Sequence, residues 1–216
     1  MKKILIIRFS SIGDIVLTSP VIRCLKEQLP VGSEVHIITK DQYSKIHKGN
    51  PHIDKIFSLD NDFSKTVKKL KDENYDHIVD LHKNIRSKRL IFMLRKPSST
   101  FSKLNVEKWL LVNLKWNRLP KRHIVDRYFE AVSTLGVKND DNGLEYFINP
   151  EEEVGIDNLP SIFQNGFVAF AFGAKFATKA IPISLVSKII EQIDLPIVLV
   201  GSESEVESAK MISEQK

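Results

Sequence analysis

The chain has 216 residues, 42% of them apolar, with 32 Lys and Arg against 27 Asp and Glu and a formal charge of +5. That is length enough for one large domain, or for one domain and part of a second, each with its own core. A single cysteine, Cys24, excludes an internal disulfide and fits a reducing compartment. No apolar run approaches the roughly 18 residues of a membrane span, and Met1-Lys2-Lys3 leads into an apolar stretch too short for a signal peptide, so a cytoplasmic chain is expected.

Ile4-Leu5-Ile6-Ile7 reads as a first, buried strand. The run Arg8-Phe9-Ser10-Ser11-Ile12-Gly13-Asp14 follows, a small-residue turn that brings Asp14 to the mouth of a helix, where open α/β sheets bind ligands. A carboxylate there can act on a bound substrate; it equally suits a helix cap. Ser19-Pro20 opens the next helix, with Val21, Ile22, Leu25 and Leu29 on one face, and Pro30 and Gly32 stop it. Residues 35–38, 53–59 and 77–81 are further strands, 63–70 is a basic helix, and 124–135 is a helix closing at Gly136. Strand and helix in alternation predict an α/β fold with a parallel sheet covered on both faces.

Between residues 139 and 157 the chain turns acidic and loop-rich, which suits a domain boundary. Beyond it the pattern restarts: strand 167–171, the loop Gly173 to Lys179, helix 183–193, strand 197–200 and helix 203–212. Because Pro196-Ile197-Val198-Leu199-Val200 is apolar throughout, it is expected to be buried on both faces. Two strand-helix units cannot provide that, so the chain is expected to hold only the start of a second domain.

The opening from Lys3 to Pro20 resembles the start of glycosyltransferase family 9, the ADP-heptose:lipopolysaccharide heptosyltransferases, which begin with a strand, an Arg-x-Ser-Ser-Leu-Gly-Asp turn and a proline entering a helix. Asn50-Pro51-His52-Ile53-Asp54, the run Tyr75 to Leu81, and Arg127-Tyr128 agree in order and spacing. The resemblance covers about two thirds of a typical member. It implies a GT-B fold, with an acceptor-side Rossmann-like domain over residues 1–155 and the truncated beginning of a nucleotide-sugar-binding domain over 160–216. It also implies inverting transfer without metal or other cofactor, with Asp14 as the general base that takes the acceptor hydroxyl proton. Ser10 and Ser11 match positions that orient acceptor or donor phosphate, or that satisfy turn amides.

The donor side is expected around Gly173, Ala174, Thr178 and Lys179, where a glycine-containing loop before a helix offers amides to a diphosphate and a lysine neutralises it. Lys179 matches the family's loop lysine, and Lys175 is a weaker candidate. Phe172 and Ile181 replace the family's usual Pro and Trp, while Pro182 is retained. The family's later Asp-x-Gly…His segment has no counterpart here, so the chain is expected to complete the donor site only in part.

From Lys83 to Arg127, basic residues alternate with Phe101, Trp109, Trp116 and several aliphatics, against only Glu107 and Asp126. Such a surface suits an anionic glycolipid acceptor at a membrane face, or is a solvated helix face. Lys83, Arg86 and Lys121 are the acceptor-binding candidates. Asp60-Asn61-Asp62 has the spacing of a metal motif but reads as turn residues, the six histidines show no ligand spacing, and His82 suits either a cleft or a helix start. The expected partners are therefore a nucleotide-sugar donor and a glycolipid acceptor. A nucleic-acid-binding protein lacks any recognised motif, and a non-catalytic nucleotide-binding or assembly module remains the alternative.

Overall fold

The computed structural model describes residues 1–174 and 178–213. The chain divides into two compact units, Met1–Glu151 and Glu152–Lys216. The first holds a five-stranded parallel sheet, ordered β3-β2-β1-β4-β5, built from β1 (Lys3–Ile7), β2 (Glu34–Lys40), β3 (Lys55–Leu59), β4 (His77–Asp80) and β5 (Ser98–Thr100). Register runs Ile4↔Val35 to Ile7↔Ile38 between β1 and β2, and Ile4↔His77 to Ile7↔Asp80 between β1 and β4.

The sheet is covered on both faces, as the alternation predicts. In β1, Ile4 and Ile6 pack on one side with Val21, Ile22 and Leu25 of α2 (Ser19–Gln28) and with Val125, Tyr128 and Phe129 of α6 (Ile124–Phe129). Leu5 and Ile7 face the other way, toward Val67 and Leu70 of α3 (Phe63–Asp72) and Leu90 and Leu94 of α4 (Ile85–Leu94). Successive strand residues point to opposite faces, which is why this apolar run serves two cores. Each fully buried aliphatic here stabilises the fold by about 1.5–3 kcal/mol relative to exposure.

Helix ends follow local chemistry. The Asp62 carboxylate accepts from the Ser64 and Lys65 amides at 3.0 and 3.2 Å, capping α3, and Asp60 pairs with Lys69 at 3.1 Å. The Asp-x-Asp run therefore serves a turn and a cap. At α2 the cap is Thr18, one residue before the expected Ser19, because the Ser19 hydroxyl accepts from the Glu145 amide at 2.9 Å. The helix expected over 124–135 ends at Phe129. From Glu130 onward its amides bond three residues back, and the Ser99 hydroxyl takes the Ala131 carbonyl, so the run tightens into a 3₁₀ turn over Ser133–Leu135. Gly136 closes that turn at φ 80°, a conformation glycine adopts without a Cβ penalty. Two short helices complete the site region of this unit, α1 (Ile12–Val16) and α5 (Asn105–Leu114).

The second unit pairs β6 (Val168–Ala171) with β7 (Ile197–Val200) in parallel, flanked by α7 (Ser161–Gln164), α8 (Ile183–Ile190) and α9 (Val206–Ser213). Phe172, Val186, Ile190 and Ile212 form its core, with Phe170, Ile197 and Leu199 packed against them. As expected of two strand-helix units, β7 is not buried on both faces within this unit: Ile197, Val198 and Leu199 are half-buried and Val200 is exposed. The helices of this unit cover one side of a two-stranded ribbon, and alternation leaves the other side uncovered within the unit.

Candidate active site

Strand order reverses between β1 and β4, so the carboxyl ends of these neighbours open the crevice in which doubly wound sheets hold ligands. Just beyond β1, the Arg8 side chain turns inward and is 8% exposed. Its Nε donates to the Ser10 carbonyl at 2.9 Å, and its Nη1 donates to the Tyr128 hydroxyl at 3.0 Å and to the Leu81 carbonyl. The remaining nitrogen, Nη2, pairs with Asp14 Oδ2 at 2.8 Å. The guanidinium thus ties the β1 turn, the end of β4 and α6 to one carboxylate.

Asp14 lies in the first turn of α1, and the same Oδ2 accepts from the Ser11 hydroxyl at 2.8 Å and from the Ser11 amide at 3.4 Å. Asp14 therefore does help cap the helix. Its Oδ1 has no partner among the described residues, and the side chain is 42% exposed. Burial pushes the carboxyl pKa up, but the Ser11 hydroxyl and the Arg8 charge more than offset this and hold it below its ordinary value. At neutral pH Asp14 is an anion with one oxygen anchored and one open.

A cleft of about 400 Å³ opens beside it, lined by Ser10, Ser11, Asp14, His82, Phe101, Lys103, Asn105, Lys108, Arg127 and Tyr128 among others. Ser10 and His82 also line a broader cleft of about 1150 Å³, with Lys40, Arg86 and Arg89 on its walls. His82 sits edge-on to Phe9 at 5.0 Å, and its Nδ1 is buried without a partner. Burial, followed by the charges of Arg8 and Lys103, lowers its pKa to about 4, so the imidazole is neutral. Burial and Arg8 likewise lower the pKa of Lys103. One carboxylate among several cations makes a field that attracts anions while keeping a proton acceptor at its centre.

Of the acceptor-side candidates, Ser10, Ser11 and Arg86 line these clefts. Lys83, held at φ 49° by amide bonds from His82 and Lys83 to Asp80, spends its ammonium on the Phe101 carbonyl at 2.7 Å. Lys121 is exposed and lines neither cleft. In their place the fold brings Lys103 and Lys108, not distinguishable within the basic stretch by type or spacing, and Arg127, which the sequence marked only through the Arg127-Tyr128 resemblance. Arg8 stood in the opening motif, and nothing local announced that it would be buried.

In the second unit, Phe172 is buried at the end of β6, Gly173 is exposed and Ala174 half-buried. Lys175, Phe176 and Ala177 lie outside the described residues; Thr178 and Lys179 form an exposed turn before Pro182, whose carbonyl receives the first amides of α8. A Cβ on Gly173 would come within 2.3 Å of the Glu205 side chain, so only glycine allows this approach. The Glu205 carboxylate is held there by the Ser202 amide and hydroxyl at 2.5 and 2.6 Å, and these bonds lower its pKa.

Elsewhere, Glu34, His36 and Glu73 offer ligand atoms within 4.8 Å of one another. Lys3 pairs with both glutamates at 3.1 Å, and Lys55 pairs with Glu73. The cluster is a charge-balanced network, with the His36 Nδ1 set against the Tyr75 hydroxyl at 3.1 Å.

The sequence profile of glycosyltransferase family 9 (heptosyltransferase) matches residues 63–216. Among solved structures, the family 9 glycosyl transferase of Veillonella parvula superposes with a TM-score of 0.76 at 17% identity, over 99% of this chain and 67% of that one. Heptosyltransferase WaaC of E. coli, solved with ADP, gives 0.69 at 19% identity, over 98% of this chain and 72% of that one. The ADP-heptose LPS heptosyltransferase II of E. coli gives 0.69 at 18% identity, over 99% and 69%. No curated protein matches the sequence. The fold is α/β of the GT-B type found in the heptosyltransferases, and the profile match over most of its length establishes that the chain belongs to glycosyltransferase family 9.

Proposed function

We propose that the protein is an inverting, metal-independent glycosyltransferase that moves a heptose or related sugar from a nucleotide-sugar, ADP-heptose by resemblance, to a lipopolysaccharide core or other anionic glycolipid. The observation that carries the reading is the Asp14 carboxylate, ionised, anchored through Oδ2 and open at Oδ1 in a cationic cleft. In the step, the acceptor oxygen attacks the anomeric carbon from the side opposite the diphosphate. The bond between that carbon and the phosphate oxygen breaks with its electron pair leaving on the diphosphate, and Oδ1 takes the hydroxyl proton. Arg8 keeps the carboxylate ionised and aimed. The neutral His82, Ser10 and Ser11 orient the acceptor, and Lys103, Lys108, Arg127 and Arg86 meet its negative charges.

On the donor side, Gly173, Ala174, Thr178 and Lys179 are proposed to receive the diphosphate, with Lys179 neutralising the leaving group. The WaaC structure with ADP supports a nucleotide-sugar donor. Glu205 must swing from Gly173 for a diphosphate to approach those amides, since two anions repel at that distance. Residues 1–155 are read as the acceptor side and 160–216 as donor-side. No described helix is long and apolar enough to cross a membrane, and the proposed site of action is the cytoplasmic face of one.

The test is transfer from ADP-heptose to a deacylated, phosphorylated core oligosaccharide. Asp14→Asn preserves shape and is expected to lower kcat by about 10²–10⁴-fold while keeping the wild-type circular dichroism, with a lower melting temperature because the buried Arg8 guanidinium loses its carboxylate. Full turnover in that variant, or no transfer by the wild type from any nucleotide-sugar, overturns the reading.

A further inference from the structure

Helix α5 has no buried residue. Val106, Trp109 and Val112 are each more than half exposed, as are Leu114 at its end and Trp116 just beyond. At about 100° per residue, Val106, Trp109 and Val112 share an arc of about 120°. Glu107, Leu110 and Leu111 are half-buried while the apolar arc is turned to solvent, the reverse of α3, whose exposed positions include Lys65, Lys68, Lys69 and Lys71. An apolar arc of this kind, contiguous and facing water, marks an interaction surface.

The charge around it identifies the partner. Residues 103–122 carry Lys103, Lys108, Lys115, Arg118, Lys121 and Arg122 against Glu107 alone. Arg122 pairs with Glu130 at 3.1 Å, and the Arg118 guanidinium stacks over the Trp116 ring at 3.8 Å. Lys108, Lys115 and Lys121 have no ion pair among the described residues. Lysines are depleted from protein–protein interfaces, whereas tryptophans flanked by lysine and arginine are the residues of a bilayer interface with anionic headgroups.

We propose that α5 and the turn after it dock the protein on an anionic membrane, with Val106, Trp109 and Val112 seated at the boundary of headgroups and acyl chains. The first turn of α5 supplies Asn105 and Lys108 to the cleft that holds Asp14, so docking brings the mouth of that cleft to the membrane surface. This deepens the proposed function, on which it rests for the statement that the acceptor is a lipid. The surface itself stands on exposure and charge.

Trp109 and Trp116 are the two tryptophans of the chain, so intrinsic fluorescence reads this surface directly. With vesicles of phosphatidylcholine and phosphatidylglycerol, the protein is expected to co-sediment and its emission to shift to the blue. Phosphatidylcholine alone, or high salt, should weaken binding by about tenfold or more. The triple variant Val106→Ser, Trp109→Ser, Val112→Ser should lose sedimentation while retaining its circular dichroism and its transfer to the deacylated acceptor. Lys115→Glu should weaken binding without touching the cleft. No sedimentation of the wild type on anionic vesicles, with transfer to the soluble acceptor intact, overturns the docking surface and leaves the transferase reading standing. Sedimentation that the triple variant abolishes, with no transfer to any acceptor, supports the surface and removes that reading. Self-association through the same face without vesicle binding overturns the proposal in favour of a protein contact.

Discussion

Asp14 acquires its chemistry from one neighbour. Without the Arg8 guanidinium, the upward push of burial on the Asp14 carboxyl is opposed only by Ser11. Replacing Arg8 by Gln should therefore raise the pKa of Asp14, the proposed base. A base works ionised, so the acid limb of the kcat/KM profile should move to higher pH, while a purely structural role would lower kcat/KM at every pH alike. The same substitution strands the Leu81 carbonyl and the Tyr128 hydroxyl in the interior, and a loss of about 1–3 kcal/mol in a denaturant melt is expected. Asp14 was legible in the sequence because its motif is contiguous. Arg8's role was not, since two of its four partners lie 73 and 120 residues away.

The elements with strong local signals are those the sequence announces: β1 by its apolar run, α2 by its proline and apolar face, α3 by its basic helical run. The strand β5, three residues with Ser98 and Ser99 in it, has no periodicity to read and forms because it completes the edge beside β4. The acidic stretch after residue 139 reads as a boundary, yet its Asp140 grips Arg23 of α2 with two bonds of 2.7 Å, and Glu145 adds a third at 2.9 Å. The loop is a strap on the first unit. Asp140→Ala leaves a buried guanidinium short of its main partner and should cost about 3 kcal/mol in urea unfolding. Bonded to Arg23, the Asp140 carboxyl is held well below its usual range. Its contribution is therefore complete above the ordinary carboxylate value of 3.8 and is lost as pH falls through the depressed folded value.

At the scale of the whole first unit, four histidines share one electrostatic fate. Burial lowers the pKa of His36, His47, His77 and His82, with nearby cations adding to it at His77 and His82. A folded value below the unfolded 6.5 means that the unfolded chain binds more protons in between. Stability is then full above about pH 6.5 and falls as pH drops toward 4. His47 is 4% exposed with an unpartnered Nε2, and its pKa of about 4 is set by burial alone, which makes its share the simplest to isolate. At about pH 5 it should account for about 2 kcal/mol. Guanidinium melts at about pH 7 and about pH 5 should show the decline in the wild type and a shallower one in His47→Gln. An equal slope in both would remove His47 from the account.

Local pattern alone determined that this chain builds a parallel α/β sheet, that Asp14 follows the first strand, and that its opening resembles that of family 9, because periodicity, caps and a contiguous motif need no distant partner to be expressed. Tertiary structure decided which cations line the cleft beside Asp14, bringing Lys103, Lys108 and Arg127 there from a long basic stretch. It also decided that α5 turns its tryptophan face to solvent and that β7 is covered by its own unit on one side only. Those outcomes depend on which surfaces meet across tens of residues of chain, and residue types along a line do not carry that information.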